Sequence, residues 1–223
     1  MSLKELKSRS ELSLLRRETG IRLYNTGKRY NREWIFRHFS FEFYSGKKYA
    51  VTGANGSGKS TLLQVIAGAV LHNEGSIEYT NGGTIIKEDT RYQYISIAAP
   101  YLEMIEEMTA KEMLQFHAQF KPLVSSLSIS EILRVIGLEK AMNKELRYFS
   151  SGMKQRLKLA QAFFSNTPVL LLDEPTTNLD ADGIELYQQL INDYTNDRIV
   201  IVSSNDKQEY DFCEETIEMA NYK

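Results

Sequence analysis

Residues 47–70 read KKYAVTGANGSGKSTLLQVIAGAV, and this stretch decides the fold. An apolar run that ends in glycine predicts a core strand entering a tight loop. The glycines at 53, 56 and 58 let the backbone bend sharply. From Lys59 onward, apolar residues recur at helical spacing, so a helix should follow at once. The order of strand, glycine-rich loop and helix is the context in which phosphate-binding loops occur.

The segment from Gly53 to Thr61, GANGSGKST, fits the pattern G-x-x-x-x-G-K-[ST]. In such a loop, successive backbone N–H groups converge on phosphate oxygens, and the helix adds its positive dipole end. We expect Lys59 to neutralise the β- and γ-phosphates and Ser60 to offer its hydroxyl to Mg²⁺, which takes few protein ligands. The alternative is a plain glycine-rich turn. Because the whole pattern stands in its required context, phosphate binding is the favoured interpretation.

A second half of the site is predicted from PVLLLDEPTTNLD, residues 168–180. A buried-strand run ends in two adjacent carboxylates, Asp173 and Glu174, where parallel sheets bind their ligands. Alternate residues of a strand diverge, so Asp173 can face the magnesium shell while Glu174 points toward an attacking water as general base. An acidic pair after a strand is more often a helix-capping turn, and the phosphate loop reverses that preference here.

The segment YFSSGMKQRLKLAQAF, residues 148–163, suggests a second anion site. Ser150, Ser151 and Gly152 precede a basic helix, and they would present hydroxyl and backbone donors at its N-terminus. A capping box would look similar, so this segment leaves both interpretations open.

The remaining patterns predict alternating strands and helices. Two amphipathic helices, at 110–120 and 128–142, follow a change of character near Pro100, and Ser128 with Glu131 favours a capped start for the second. A helix at 183–193 between two apolar runs has the βαβ rhythm of a parallel sheet covered on both faces. Strands are expected at 21–24, 34–43, 47–53, 76–80, 92–99, 168–172 and 198–204.

Composition limits the function classes. The 223 residues are 42% apolar and 25% charged, and 27 Lys and Arg balance 29 Asp and Glu, so no overall basic field would attract nucleic acid or anionic lipid. Nine basic and three acidic residues give the first 32 positions a local excess of six, interpreted as a solvated tail rather than a targeting peptide. Cys213 is alone, which favours a reducing compartment without disulfides. No apolar run approaches the roughly 18 residues of a bilayer span, so membrane work requires a partner.

From about Ile21 onward, the sequence resembles the ATP-binding cassette family. Gly53 to Thr61 resembles the Walker A loop, and LLLDE resembles the Walker B strand with its catalytic Glu174. FSSGM is similar to the signature, and TNLD, which ends in Asp180, is similar to the D-loop. Tyr30, 23 positions before Gly53, is placed like the aromatic that stacks on adenine; the alternative is a strand-edge core tyrosine.

The resemblance implies an α/β fold: a P-loop NTPase (RecA-like) core with an inserted α-helical subdomain, about residues 100–162, and a small antiparallel β subdomain. Residues 1–20 would be an N-terminal tail and 21–223 the ATPase domain. A homo- or heterodimer would sandwich two MgATP, each between one phosphate loop and the other subunit's Ser150 to Gly152. The implied site residues are Glu174 and Asn205 for catalysis, Ser60 and Asp173 for Mg²⁺, and Tyr30, Gly53, Asn55, Gly56, Ser57, Gly58, Lys59, Ser60, Thr61, Ser150, Ser151, Gly152 and Asp180 for ATP.

For function, the resemblance implies the ATP-binding subunit of a transporter. It would lie in the cytoplasm on the inner face of the cell membrane and contact an integral membrane subunit through residues 99–109. Two alternatives stay open: a soluble cassette ATPase that acts on ribosomes or DNA, and a low-turnover nucleotide sensor. Since the first class usually carries two cassettes or basic surfaces, we expect no nucleic acid partner.

The sequence departs from the family at two positions. The family's strand after Walker B ends in a histidine that contacts the γ-phosphate, whereas SSND places Asn205 there. An amide can donate a hydrogen bond, but it cannot carry positive charge near neutral pH. The family's Q-loop glutamine would fall near Ala99 or Pro100, and Gln93 lies too early and is interpreted as a surface residue. Both losses predict slow hydrolysis.

Overall fold

The computed structural model describes residues 19–223. The tail predicted for residues 1–20 therefore lies outside the described residues, apart from Thr19 and Gly20, and Gly20 already begins the first strand. The strands are β1 Gly20–Tyr30, β2 Glu33–Tyr44, β3 Lys48–Thr52, β4 Glu74–Asn81, β5 Thr84–Ile85, β6 Ile95–Ala98, β7 Val169–Asp173, β8 Ile199–Ser203 and β9 Glu215–Glu218. The α-helices are α1 Lys59–Ile66, α2 Ala110–Phe120, α3 Ile129–Val135, α4 Ser151–Phe163 and α5 Ala181–Tyr194.

A five-stranded parallel sheet forms the centre, in the order β6-β7-β8-β3-β9. All residues of β7, VLLLD, and of β8, IVIVS, are buried. Such continuous apolar strands are expected where both faces of a parallel sheet are covered. The phosphate-loop strand β3 and the carboxylate strand β7 are therefore not neighbours, because β8 lies between them.

The two faces of this sheet belong to different cores. Leu171 and Ile201 pack in one cluster with Leu62 and Leu63 of α1, whereas Leu172 packs in a second cluster with residues of α4 and α5. Because side chains alternate along a strand, odd-numbered positions of β7 and β8 face α1. This parity sets the direction of the polar residues that end both strands.

The antiparallel sheet, in the order β2-β1-β4-β5, packs its buried face against the α1 side. The fold class predicted from the sequence is confirmed, with its α/β core, its helices between β6 and β7, and its small antiparallel sheet. The capped start predicted at Ser128 is also found: its side chain and Glu131 form a capping box.

Several boundaries differ from prediction. The first helix ends at Ile66 rather than near 70, because Gly68 adopts φ 74°. The helix predicted to 142 ends at Val135, and Gly137 (φ 72°) turns the chain into a 3₁₀ segment. Left-handed glycines end helices in this way. Residues 88–94 are 3₁₀, so the strand expected from 92 begins at Ile95. Within residues 19–223, no helix is long and apolar enough to cross a membrane.

Candidate ATP-binding site

The phosphate loop joins β3 to α1 and needs glycine at two positions. Gly53 has φ 139°, and a Cβ there would lie 2.8 Å from Ser57 Oγ. Gly58 has φ 104°, and a Cβ there would lie 2.7 Å from Ile35 Cγ2. Other residues rarely adopt these angles, and the space is already filled. The loop therefore curves back tightly on itself, and α1 begins directly after it at Lys59.

Lys59 folds back over the loop and is only 5% exposed. Its Nζ donates to the carbonyl oxygens of Gly53 at 2.7 Å and Ala54 at 3.3 Å. An ammonium carries three donors, so phosphate oxygens can replace or join these carbonyls with little movement of the chain. The cation is thus held at the mouth of the loop.

The loop and one carboxylate share a cavity of about 350 Å³. Glu174 stands opposite the loop in this cavity. Most of the phosphate-loop residues predicted from the sequence line it. The lining residues are Ile35, Asn55, Gly56, Gly58, Lys59, Ser60, Thr61 and Glu174.

Glu174 follows β7 in a left-handed conformation, with φ 43°. Its N–H donates to Ser203 O at 2.9 Å, which ties the turn to the end of β8. A non-glycine residue in this region is strained by about 1–3 kcal/mol, and such strain is concentrated at functional sites. The turn directs an exposed carboxylate into the loop cavity, as a general base requires.

Asp173, by parity, faces α1 and is 2% exposed. Its Oδ1 has no hydrogen-bond partner among the described residues, and neither does the buried Ser57 Oγ of the loop. An unpaired buried polar atom costs roughly 1–3 kcal/mol, so a ligand here is expected. Asp173 and the Ser60 hydroxyl therefore fit a Mg²⁺ ion, which would neutralise phosphate charge when bound. No cluster of three or more His, Cys, Asp or Glu occurs in residues 19–223, and a nucleotide-bound magnesium needs none.

Asn205 contacts the phosphate loop directly. Its Nδ2 donates to Asn55 Oδ1 at 3.0 Å, across 150 positions of sequence. The residue after it, Asp206, caps a short 3₁₀ turn through Gln208 N, and Ser204 Oγ accepts from Asp206 N at 2.8 Å. The segment 204–206 is therefore fixed by hydrogen bonds of Ser204 and Asp206, and the Asn205 amide between them is hydrogen-bonded to Asn55 of the phosphate loop.

The signature-like residues stand away from this cavity. Ser150 caps α4 by accepting from Met153 N at 3.2 Å, while Ser151 and Gly152 form the first residues of the helix. Since the third helical residue is Met153, no capping box forms. A Cβ on Gly152 would lie 3.0 Å from Asn178 O, so this helix start packs on the segment after Glu174.

Asp180 begins α5. Its Oδ1 accepts from Gly183 N and from Arg156 Nη2, both at 2.9 Å. The backbone hydrogen bond from Gly183, followed by the Arg156 bond, lowers the pKa of Asp180 below its usual value. The carboxylate therefore stays ionised and links α5 to the signature-like helix α4.

Tyr30 ends β1 and is 46% exposed, and Lys28 Nζ lies 4.7 Å from its ring centroid. The alternative of a core tyrosine is therefore wrong. The residue that reaches the loop cavity from this hairpin is Ile35. An apolar residue at a strand position gives no sequence signal for such a role, and stacking of adenine on Tyr30 stays a prediction.

Two buried polar residues that no motif identified hold the turn after Glu174. Gln155 of α4 donates to Pro175 O at 2.7 Å, and Glu209 accepts from Thr176 N at 2.7 Å. Both side chains are at least 97% buried. The turn is thereby gripped from one side by the signature-like helix and from the other by the Asn205 loop. The nearest sequence signal is a Glu four residues beyond Asn205.

The glutamine expected near Ala99 or Pro100 has no direct substitute at those positions. Ala99 is buried, and Pro100 O accepts from Lys158 Nζ at 2.7 Å. The next residue, Tyr101, bonds to Gln64 of α1; burial raises its pKa, and the nearby Asp173 charge adds to this effect. Gln93 is exposed and precedes β6, as expected.

A larger cavity, about 540 Å³, lies at the amino edge of the same sheet. Its most buried cation is Arg198, which donates to Phe163 O at 2.9 Å and to the hydroxyls of Ser96 and Thr167. Burial lowers the pKa of Arg198 to about 9. This guanidinium closes the carboxyl end of α4. Ligands of parallel sheets bind at the opposite edge, so we assign the site to the phosphate loop despite its smaller volume.

Comparisons with known proteins agree with this geometry. The family model described as ABC transporter matches residues 36–177. The uncharacterized ABC transporter ATP-binding protein YybJ of Bacillus subtilis is 29% identical over 89% of this chain and 92% of its own length. The putative hemin import ATP-binding protein HrtA of Staphylococcus aureus is 30% identical over 89% of this chain and 94% of its own.

Solved structures show the same fold. A putative ABC transporter ATP-binding protein from Pyrococcus furiosus superposes with a TM-score of 0.76 and 20% identity, over 91% of this chain and 98% of that chain. A bacterial Atm1-family ABC exporter with ATP bound also gives 0.76, with 19% identity, over 90% of this chain and 37% of the exporter chain. With a family match over most of the sequence and relatives covered nearly end to end, this chain belongs to the ABC transporter family, as an ATP-binding subunit.

Proposed function

We propose that this subunit binds MgATP at the phosphate loop, hydrolyses it slowly, and drives a separate membrane subunit. The single observation that carries the proposal is the cavity that unites the loop, Lys59 and Ser60 with the Glu174 carboxylate. Lys59 and the loop N–H groups bind the phosphates, Ser60 and Asp173 bind Mg²⁺, and Glu174 accepts the proton of the attacking water.

The proposal of slow turnover rests on the residue that contacts Asn55 of the phosphate loop from the segment after β8. Asn205 offers a neutral NH₂ group, and one of its two N–H donors is already engaged by Asn55 Oδ1. A histidine at this position can present a charged donor to the developing negative charge, whereas an amide cannot. The loss of one preorganised donor typically lowers the rate by about a hundredfold to a thousandfold.

Substitution of Asn205 by histidine tests this proposal. We expect Asn205→His to raise kcat at least tenfold with little change in the ATP Kd, measured by phosphate release and ATP titration of the purified chain. Glu174→Gln is the matched control, because it should abolish turnover in either background while ATP still binds. Fast wild-type turnover that the histidine leaves unchanged would remove the slow-site proposal. Unaltered ATP binding by Lys59→Ala would remove the whole site.

Contact with the membrane subunit is proposed for the segment 99–109. A groove of about 420 Å³ lies beside it, lined by Pro100, Leu102, Glu103, Met104, Glu106, Leu146, Lys154 and Lys158. Ile105 of this segment is 40% exposed, and Lys154 Nζ pairs with Glu106 at 2.5 Å. The groove combines apolar side chains with two carboxylates and two ammonium groups, which fits a short amphipathic segment that carries charges of both signs. Copurification with a polytopic membrane protein, lost in Ile105→Asp, would support this placement at the inner face of the membrane.

A further inference from the structure

Two buried polar side chains end neighbouring strands without a partner. Asp173 is the last residue of β7 and Ser203 the last of β8, and the two are paired in register. Asp173 is 2% exposed and Ser203 is fully buried. Asp173 Oδ1 and Ser203 Oγ both lack a hydrogen-bond partner within residues 19–223. Two adjacent orphaned groups that point the same way suggest one shared ligand.

The direction of the Asp173 and Ser203 side chains follows from the core cluster that the neighbouring residues of each strand join. Leu171 and Ile201, two positions earlier on the same strands, pack against α1. Side chains two residues apart share a face, so Asp173 and Ser203 also face α1, the helix that begins with Lys59 and Ser60. Paired residues of parallel neighbours lie side by side on that face.

The sheet order places Ser203 beneath the centre of the site. The strand β8 pairs with β7 through Asp173 and with β3 through Val51, so Ser203 lies between the carboxylate strand and the strand that feeds the phosphate loop. An ion held by Ser60 on one side and Asp173 on the other would span the end of β8. The hydroxyl of Ser203 is the polar side chain of β8 at this level of the sheet.

The backbone carbonyl of Ser203 already accepts a hydrogen bond, and the hydroxyl of the neighbouring Ser204 accepts one within the segment that carries Asn205. Ser203 O accepts from Glu174 N at 2.9 Å. Ser204, one position on, uses its hydroxyl to accept from Asp206 N at 2.8 Å and so holds the Asn205 loop. Of these two serines, Ser203 is the one whose hydroxyl has no hydrogen bond within the described residues, although a buried strand position readily accepts valine.

We infer that Ser203 belongs to the magnesium site, where its hydroxyl hydrogen-bonds a water in the ion's hydration shell between Ser60 and Asp173. The inference rests on the proposed function, since it requires MgATP at the phosphate loop. Mg²⁺ keeps several waters when it binds to proteins, and groups that orient them contribute to affinity without touching the ion. Ser203 is a positioning residue in this role, and Asp173 remains the direct ligand.

The experiment measures how much the metal strengthens nucleotide binding. A non-hydrolysable ATP analogue is titrated into the full-length protein in EDTA and in Mg²⁺, and free Mn²⁺ is counted by electron paramagnetic resonance in a parallel titration. In wild type, Mg²⁺ should increase the affinity for the analogue. We expect Ser203→Ala to make this increase about tenfold smaller and to leave the affinity in EDTA unchanged. Ser204→Ala, the matched control, should keep the full increase.

Thermal unfolding without metal separates this role from a structural one. Because its hydroxyl has no protein partner, Ser203→Ala should unfold at the wild-type temperature or above it. A lower Tm of Ser203→Ala without metal would mean that the hydroxyl is hydrogen-bonded to Asp173 directly. A Mg²⁺-dependent increase in analogue affinity within twofold of the wild-type increase would mean that the hydroxyl does not contribute to metal binding. Either result overturns the inference. If Mg²⁺ does not increase the analogue affinity of wild type, while Lys59→Ala still abolishes analogue binding, then the proposed magnesium site is wrong as a whole and not only the role of Ser203.

Discussion

The glycines of the phosphate loop differ in how strictly the backbone angle and the surrounding space require glycine. Gly56 has φ 76° with nothing within 4 Å of an added Cβ, whereas Gly58 has φ 104° and an added Cβ would meet Ile35. The pattern G-x-x-x-x-G-K-[ST] predicts glycine at positions 53 and 58. It does not predict that the hairpin residue Ile35 closes over one of them.

The two glycines give a matched pair of substitutions. We expect Gly56→Ala to cost about 1–2 kcal/mol from the left-handed backbone alone. Gly58→Ala should cost more and should weaken ATP binding at least tenfold, because Ile35 or the loop must move. Thermal unfolding and ATP titration of both variants check this expectation. Equal effects of the two substitutions would show that the contact with Ile35 is unimportant.

A second prediction at the scale of residues concerns the stability of the fold at acid pH, where His117 is the group involved. His117 Nε2 lies 2.8 Å from Ser165 Oγ, whose own proton goes to Gln161 O, so the imidazole donates. Burial, followed by the charge of Lys121, lowers the pKa of His117 to about 4. Below its ordinary pKa of about 6.5 the unfolded chain binds a proton that the folded chain does not. Stability contributed by the neutral ring should therefore fall as the pH drops from 6.5 toward 4.

The loss is at most about 3 kcal/mol and should level off below pH 4 for this group. Urea unfolding at intervals between pH 4 and pH 8 measures it. His117→Gln cannot protonate, so its stability should vary less over this window. A variant that loses stability as steeply as wild type would assign the acid sensitivity to other groups.

At the scale of elements, the turn after β7 is held by contacts that no motif predicts. Gln155 and Glu209 approach it from α4 and from the 3₁₀ segment Lys207–Glu209, and the hydroxyl of Tyr187 donates to Glu209 O at 2.7 Å. Glu174 therefore has a fixed position relative to both the signature-like helix and Asn205. Small displacements of a catalytic group lower rates strongly.

Removal of the Glu209 carboxylate should affect chemistry more than binding. We expect Glu209→Ala to lower kcat roughly tenfold to a hundredfold and to change the ATP Kd less than threefold. Glu209→Gln keeps an oxygen that accepts from Thr176 N, so its kcat should stay near wild type. Steady-state ATPase assays and ATP titrations distinguish these outcomes. Equal kcat in all three proteins would show that the contact serves stability alone.

The elements also show how far the sequence could be interpreted. The helix α2 is predicted correctly because its apolar residues recur at helical spacing, and β7 and β8 because each is a continuous apolar run. Helix ends at Gly68 and Gly137 are missed because glycine within an apolar pattern can be tolerated or can stop the helix. The order of the strands, which puts Ser203 between β3 and β7, depends on pairing and has no local signal.

At the scale of the whole molecule, the signature-like residues lie apart from the phosphate loop. Ser150 caps α4 and Ser151 and Gly152 begin it, all outside the loop cavity, so the sandwich typical of the family would require a second copy or a related subunit. The chain's net charge of −2 gives little overall repulsion between copies. We therefore expect association to depend on the nucleotide that lies between the two surfaces.

Trapping the bound nucleotide should reveal the dimer. We expect Glu174→Gln with MgATP to sediment near twice the 25.6 kDa of the chain and to return to monomer in ADP. Ser151→Arg in that background is the control, because it should keep ATP binding on its own loop and stay monomeric. Analytical ultracentrifugation measures both. A monomer at every ATP concentration would point to an obligate heterodimer.

One step along the chain at the end of β7 divides the site into two independent parts. Asp173 is enclosed between the strands and α1, whereas Glu174 stands exposed in a left-handed turn. A lineage could exchange Glu174 without disturbing either core, and Asp173 could not change so freely. On the proposed function, a single exposed substitution at Glu174 would therefore remove turnover and leave the buried half of the nucleotide site in place.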